Sequence, residues 1–331
     1  MNNQRELREK RIVAIVNSRS SLALRRAKEA QSEFAERCNF ETWATTRAGH
    51  AVELAEQAVD ESVDALIVIG GDGTINECAN GLLTTNLPID QLPAMAIWPS
   101  GSGNDFSRTF ACPRSLEQLL KTIVEFRTAE IDVGKVEYQE DNFAQLRKSV
   151  HKPSGTKFLD RSWAGSTRHF INIAEIGIGT TVIQRATRTQ RYLGDRISYQ
   201  LAILRTVITC PEFEAKVSGD DFSFKGRFST IAVANARFFG SGLGIAPDAD
   251  VSDGLLDVVL LRAFSPLDFI RYLGKLRRCE PIVDSRVQVY QTTKLSVEGQ
   301  TRTSMDGELS HPLPVEIEVL PRRLKLLLCG K

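Results

Sequence analysis

The sequence predicts an α/β domain built on a parallel sheet, followed by a β-rich, mostly antiparallel domain of sandwich type. Three observations carry this reading. Over residues 1–137 short apolar runs alternate with helically spaced segments, the order expected when helices cover both faces of a parallel sheet. From residue 138 to 320 strand-like runs follow one another with only two helical interruptions. The chain has 331 residues, enough for two packed domains.

Each element has its own signal. Residues 12–16 are a β-branched apolar run and read as a buried strand. Residues 22–38 place Leu24, Ala27, Phe34 and Cys38 at roughly helical spacing. Residues 40–45 read as a strand, 48–59 as a helix, 65–69 as a second buried strand and 75–84 as a helix. A strand at 94–98 and a helix at 115–126 complete the alternation. In the second half, strands are expected at 170–173, 228–234, 255–261, 287–290, 294–297, 315–319 and 324–328, with helices near 195–208 and 266–278. Residues 139–166 are polar and read as a loop or insertion.

Composition narrows the class. The chain is 42% hydrophobic and 25% charged, with a net charge of +1. No global field draws it to nucleic acid, and no nucleic-acid partner is expected. Cys38, Cys78, Cys112, Cys210, Cys279 and Cys329 include no C-x-x-C pair, and His50, His151, His169 and His311 are dispersed. This predicts reduced thiols in a cytoplasmic protein, without a zinc centre. Residues 1–11 are polar and lack the apolar run of a signal peptide. No stretch reaches the ~18 apolar residues of a transmembrane helix, so none is expected.

Two glycine-rich turns carry the chemistry. Gly70-Gly71-Asp72-Gly73-Thr74-Ile75-Asn76-Glu77 follows a buried strand and opens a helix. Its glycines let the backbone come close to a ligand, and amides at a helix start favour phosphate oxygens. Asp72 would repel phosphates unless Mg²⁺ or a proton intervenes, which points to a metal or acid–base role. The plain alternative is a tight turn with Asp72 as a helix cap. Pro99-Ser100-Gly101-Ser102-Gly103-Asn104-Asp105-Phe106 also follows a buried strand, so Ser102 and Asn104 can line the same cleft. There is no G-x-x-x-x-G-K-[ST], which excludes a P-loop.

These two blocks, with Asn80-Gly81-Leu82 and Ser107-Arg108, resemble the diacylglycerol kinase and sphingosine kinase catalytic family, in its soluble bacterial lipid kinase form. Asn235, Gly240-Ser241-Gly242, Ala246-Pro247-Asp248-Ala249, Asp253-Gly254-Leu255-Leu256-Asp257 and Met305-Asp306-Gly307-Glu308 continue the resemblance in order over about 70–310. It implies an NAD-kinase-like or phosphofructokinase-like α/β domain at 1–137, with 321–331 returning to it. A β-sandwich lipid-substrate domain follows at 138–320, with the nucleotide in the interdomain cleft. It implies ATP contacts at Asn17, Ser20, Ser21, Thr45, Gly70, Gly71, Asp72, Gly73, Thr74, Asn76, Glu77, Ser102, Gly103 and Asn104. Asp306 would be the base that takes the lipid hydroxyl proton, with Asp72 the second catalytic group and Glu308 beside them. Mg²⁺ would be held by Asp250, Asp253 and the Leu255 carbonyl, although by themselves the aspartates of 248–257 read as a solvated acidic loop. The activity implied is transfer of the ATP γ-phosphoryl group to a lipid hydroxyl, with a place in phospholipid biosynthesis.

The chain departs from the family outline in places. The first motif reads Asn17-Ser18-Arg19-Ser20-Ser21, without the expected proline and final glycine. Gly179 stands where an aspartate is common, and 139–166 has no counterpart. Arginines and apolar residues mix along 185–208 and 269–278, a pattern of basic amphipathic helices that suits transient contact with a membrane surface from the aqueous side. The competing reading is a helix with one core face and one solvated face. Diacylglycerol or a related glycerolipid is the expected acceptor. A sphingoid or ceramide-type lipid, NAD, or a weakly catalytic nucleotide- or lipid-binding regulator are the alternatives, and a homodimer is left open.

Overall fold

The computed structural model describes residues 7–138, 167–178, 180 and 212–329. They form two compact units: 7–133 with 321–329, and the described residues of 134–320. The expected insertion at 139–166, the helix near 195–208, the basic stretch from 185 and Gly179 lie outside the described residues.

The first unit follows the expected alternation: β1 (Arg11–Val16), α1 (Ser21–Phe34), β2 (Asn39–Ala44), α2 (His50–Asp60), β3 (Ala65–Gly70), α3 (Asp72–Thr84), β4 (Ala94–Pro99), the single turn α4 (Phe106–Thr109) and α5 (Leu116–Glu125). A long strand, β5 (Thr128–Tyr138), comes next. The sheet order is β2-β1-β3-β4, all parallel, and residues 321–327 extend it beside β4 through the pair Leu326 and Met95. All six residues of β3 are buried, so the strand reads as an unbroken apolar run rather than an alternation. Ser20 caps α1 by accepting from the Ala23 amide, and Ala23, Ala27, Ala30 and Phe34 form its buried stripe. These residues join Leu119 and Ile123 of α5 and Ile67, Ile69, Ala96 and Trp98 of the sheet in one core. Helix α1 ends at Phe34, short of the expected 38, where the Phe34 ring stacks on Phe40 at 5.1 Å.

The second unit comprises β6 (Thr167–Phe170), β7 (Ile173–Gly177), β8 (Phe213–Ser218), β9 (Ser223–Phe228), β10 (Thr230–Ala234), β11 (Phe238–Phe239), β12 (Leu243–Gly244), β13 (Leu256–Leu261), α6 (Pro266–Arg278), β14 (Val287–Thr292), β15 (Lys294–Gly299), β16 (Arg302–Met305), β17 (Glu308–Pro312) and β18 (Val315–Leu327). One sheet runs β14-β13-β10-β7-β16-β17 in antiparallel pairs. A second layer runs β9-β8-β15-β18, with β5 and β6 beyond. Val136, Phe170, Val217, Leu295 and Ile317 of one layer pack with Ala174, Ile176, Ile231, Val258 and Leu260 of the other, a sandwich core.

Four expected strands take a different form. The run 228–234 is two strands, because the chain changes sheet at fully buried Ser229, whose Oγ accepts the Phe264 amide. The runs 315–319 and 324–328 are one strand, β18, bent where Arg322 adopts φ 51° and donates its amide to buried Asp132. The run 170–173 is broken at Ile171-Asn172, with consequences described below. Strand β5 was hidden by Asp132 and Gly134. A Cβ at Gly134 would lie 2.1 Å from the Phe170 ring, so glycine is what lets that ring pack against the strand.

Gly81 has the same logic on helices: a Cβ there would lie 2.3 Å from the Val52 carbonyl oxygen of α2. Gly81→Ala must push α2 and α3 apart. We expect a stability loss of about 1–3 kcal/mol by denaturant titration.

Candidate active site

In a sheet ordered β2-β1-β3-β4 the chain reverses its direction of travel between β1 and β3. Ligands of open α/β sheets bind outside the carboxyl ends of the strands at such a point. Here the loops after β1, β3 and β4 are stitched together. The Asn17 amide donates to the Ile69 carbonyl (3.0 Å), and its Nδ2 donates to Thr74 Oγ1 (3.2 Å). Ser20 Oγ donates to the Ser100 carbonyl (3.2 Å), and the Ser100 amide donates to the Gly70 carbonyl (2.6 Å). Thr45 Oγ1 accepts the Ser18 amide at 3.3 Å. The first motif, lacking its proline and glycine, is thus held by Asn17, Thr45 and the helix cap Ser20.

The two glycine-rich turns touch. A Cβ on Gly101 would lie 2.5 Å from the Gly71 Cα, and one on Gly70 would lie 2.6 Å from Thr74 Cβ. Helix α3 starts at Asp72 behind Gly71, which has no side chain to cap it, so its first amides are left to a ligand or solvent. Asp72 Oδ1 accepts the Phe106 amide at 3.3 Å, tying the start of α3 to the start of α4. Asn104 (φ 52°) pairs with the Gly101 backbone in both directions, its Oδ1 accepting and its Nδ2 donating at 2.9 Å each. This closes a small loop with Ser102 exposed and Gly103 beside it.

Other expected contacts have different surroundings. Asn76 is fully buried, and its side-chain oxygen accepts from Asn80 Nδ2 at 3.2 Å. Glu77 reaches α2 instead: its Oε1 accepts the Gly49 amide (2.9 Å) and its Oε2 the Ala51 amide (3.2 Å). The α2 N-cap is Gly49, which has no side chain, so Glu77 supplies the cap from the next helix. Ser21 is exposed on the first turn of α1. Sequence reasoning missed Arg26. One turn into α1, it donates to the Pro99 carbonyl and Ser100 Oγ and lies over the Trp98 ring at 4.9 Å.

In the second unit, Asp306 sits at the tip of the β16–β17 hairpin with φ 48°, followed by Gly307 at φ 86°. Its carboxylate is buried and accepts three successive backbone amides, Ile171 on Oδ2 and Asn172 and Ile173 on Oδ1, each at 3.0 Å. The strand expected at 170–173 breaks here because these amides turn from the ladder to the carboxylate. Asn235, also buried, fixes the bend: its Nδ2 donates to the Ile171 carbonyl (2.8 Å) and its amide to the Asn172 carbonyl (2.9 Å). Glu308 pairs with nearly buried Arg168 at 3.3 Å.

Residues 11–136 match the diacylglycerol kinase catalytic domain, and residues 172–328 match the YegS C-terminal NAD kinase beta sandwich-like domain. The chain belongs to the diacylglycerol kinase catalytic family of lipid kinases. It is 28% identical to a protein of Bacillus subtilis (strain 168) named "Diacylglycerol kinase", over 87% of this chain and 85% of that one. It is 27% identical to a Yersinia pestis (strain Pestoides F) protein named "Probable lipid kinase YegS-like", over 84% and 83%. Among solved structures, a diacylglycerol kinase from Bacillus anthracis str. Sterne superposes with a TM-score of 0.67 at 22% identity, over 96% and 97% of the two chains. A second structure from that organism reaches 0.71 at 24% identity with the same coverage. The family reading carries with it the use of ATP and a lipid acceptor. Among the described residues no helix is long and apolar enough to cross a membrane.

The acidic loop expected to hold Mg²⁺ has the right donors. Asp250 and Asp253 are exposed carboxylates, and with the Leu255 carbonyl they offer the hard oxygens that Mg²⁺ takes alongside its own waters. One oxygen of each is engaged by its own loop: Asp250 Oδ1 accepts from Ser252, and Asp253 Oδ1 accepts the Leu255 amide at 3.0 Å. Among the described residues there is no cluster of three or more metal-ligating side chains, so water would have to complete such a site.

Behind Glu308, His311 is buried on the Tyr138 ring, which it meets edge-on with centroids 4.6 Å apart. Burial, then the charges of Arg168 and Arg302, hold its imidazole down to about 4. The unfolded chain therefore binds a proton here that the folded one refuses, and stability falls as pH drops from about 6.5 to about 4. We expect His311→Gln to flatten that limb of a stability–pH curve by about 2 kcal/mol, read from denaturant midpoints.

Proposed function

We propose that the chain transfers the γ-phosphoryl group of ATP to the hydroxyl of diacylglycerol or a related glycerolipid. The observation that carries the acceptor is the 28% identity, over most of both chains, to a protein named a diacylglycerol kinase. The uncapped start of α3 supports the donor side: the amides after Gly71, with Asn17, Thr74, Ser102 and Gly103 near them, offer the N–H and hydroxyl groups that triphosphates take.

Each residue then has a task. The loops after β1, β3 and β4 bind and orient the phosphates. Asp306 accepts the proton as the acceptor oxygen bonds to the γ-phosphorus and the bond to the bridging oxygen breaks, releasing ADP. A carboxylate with three amide donors is firmly held in position. It orients a hydroxyl well and takes the proton late, which suits a loose transition state in which bond-making to the acceptor lags. Mg²⁺, when bound, would neutralise charge on the transferring phosphates. Asp72 would help hold that ion beside the nucleotide, and a separate structural Mg²⁺ would be held in the acidic loop by Asp250, Asp253 and the Leu255 carbonyl.

The experiment offers labelled ATP, Mg²⁺ and a panel of diacylglycerol, monoacylglycerol, sphingosine, ceramide and NAD. Label is expected in the glycerolipid; label in NAD or a sphingoid lipid alone overturns the acceptor. Asp306→Asn is expected to slow transfer by roughly 10²–10⁴-fold with ATP affinity unchanged, and undiminished transfer would remove Asp306 as the base. Gly101→Ala, which inserts a Cβ against Gly71, should instead weaken ATP binding at least ~10-fold, on the order of 1.4 kcal/mol. Calorimetric titration with a nonhydrolysable ATP analogue separates the two effects.

A further inference from the structure

Helix α6 was read from the sequence as either a membrane-facing element or a helix with one core face and one solvated face. The second reading requires the solvated face to be polar throughout, and its N-terminal end is not. Tyr272 and Leu276 face the core, while Leu267, Ile270, Arg271, Gly274, Arg277 and Arg278 form the exposed stripe, at helical spacing. Leu267 is 76% exposed and Ile270 65%. Val283 (84%) and Val289 (54%), on the segment after α6 and on β14, add to them. Among the described residues the one other exposed large hydrophobic is Leu24, so four of the five fall within 267–289. Among the described residues β14 is an edge strand of its sheet, with no neighbouring strand on this flank.

The charge there has one sign. Residues 262–289 hold six arginines and lysines against three acids, and each acid is taken by an arginine. Asp268 and Asp284 both pair with Arg286 at 2.8 Å, and Glu280 pairs with Arg278 at 2.7 Å. These pairings leave Arg271, Lys275 and Arg277 as the cations of the helix without a carboxylate partner in its own segment. The stripe is thus apolar at the N-terminal end of α6 and cationic at its C-terminal end. An anionic bilayer complements both ends of the stripe: acyl chains take the leucine and isoleucine, and phosphates take the arginines.

We infer that α6, with the adjoining 280–289 segment and the β14 edge, is the face by which this chain docks on an anionic lipid bilayer. The inference rests on the family's lipid acceptor but not on which lipid is phosphorylated. Its test measures binding, not turnover. The full chain is sedimented with vesicles of pure phosphatidylcholine and with vesicles containing 30% phosphatidylglycerol, a composition of about one anionic lipid in three. Binding should be stronger on the anionic vesicles and weaken as salt rises. Leu267→Glu with Ile270→Glu should lower partitioning by at least tenfold on both compositions, because it removes the inserted groups. Arg271→Gln with Arg277→Gln should lower it roughly 10–25-fold on the anionic vesicles alone, at about fivefold or less per charge. All four positions are exposed, and activity on a short-chain, water-soluble diacylglycerol should be unchanged in both variants. Wild-type partitioning by the Leu267/Ile270 variant overturns the inference. So does a change in self-association, by sedimentation velocity, in place of a change in vesicle binding, since the face would then belong to a second copy of the chain. If vesicle binding follows the prediction while no lipid is phosphorylated, the docking face stands and the proposed reaction fails.

Discussion

The first unit depends on a backbone contact that no side chain larger than hydrogen allows. Gly71 and Gly101 end the turns after β3 and β4, and the main chains of those turns meet there. That contact lets the Ser100 amide reach the Gly70 carbonyl and leaves Asn104 the right distance to brace Gly101 from the far side. Widening it by one methyl group would shift the start of α3, and with it the amides aimed outward from the sheet edge. The parallel sheet supplies the direction in which all these loops point; the glycines set how tightly they close.

Asp306 shows the converse arrangement, in which an element gives up regularity to serve a side chain. Residues 170–173 have the composition of a strand, yet three of their amides leave the ladder for one carboxylate. Main-chain donors lost to a sheet must be satisfied elsewhere, and a buried carboxylate in turn needs donors. Each group's requirement is met by the other. Asn235 then holds the bent carbonyls of Ile171 and Asn172 in place. The arrangement depends on contacts between residues 133–135 positions apart.

That separation explains what the sequence could and could not disclose. Buried parallel strands, helices with a regular apolar stripe and glycine-rich turns are local patterns, and β1, β3, β4, α2, α3 and α6 were legible from them. Features set by distant partners were not. Glu77 stands in the phosphate-turn motif and was grouped with it, while its two acceptors serve amides on α2, 26 and 28 positions away. Arg26 looks like any helix arginine until the loop 73 residues on folds back against it. The bend in β18 divides two runs that read as separate strands, yet at that bend Arg322 finds an acceptor in Asp132, 190 positions earlier. The two expected ends of one strand belong to different compact units.

The three acids that the motifs single out can now be ranked by what their oxygens already do. Both oxygens of Glu77 cap a helix, so its charge offsets unpaired amides and helix dipole, and its contribution is to hold α2 against α3. Asp306 accepts three amides, which position it closely. Asp72 accepts one amide on Oδ1, at the long distance of 3.3 Å. A metal needs a carboxylate oxygen with electron density to give, and a proton acceptor in a loose transition state needs position more than strength. The order of amide donation gives Glu77 an architectural part and, for the proposed transfer, supports orientation of a hydroxyl by Asp306 and cation binding beside phosphates by Asp72. It does so from hydrogen bonds alone, independently of the motif each residue occupies.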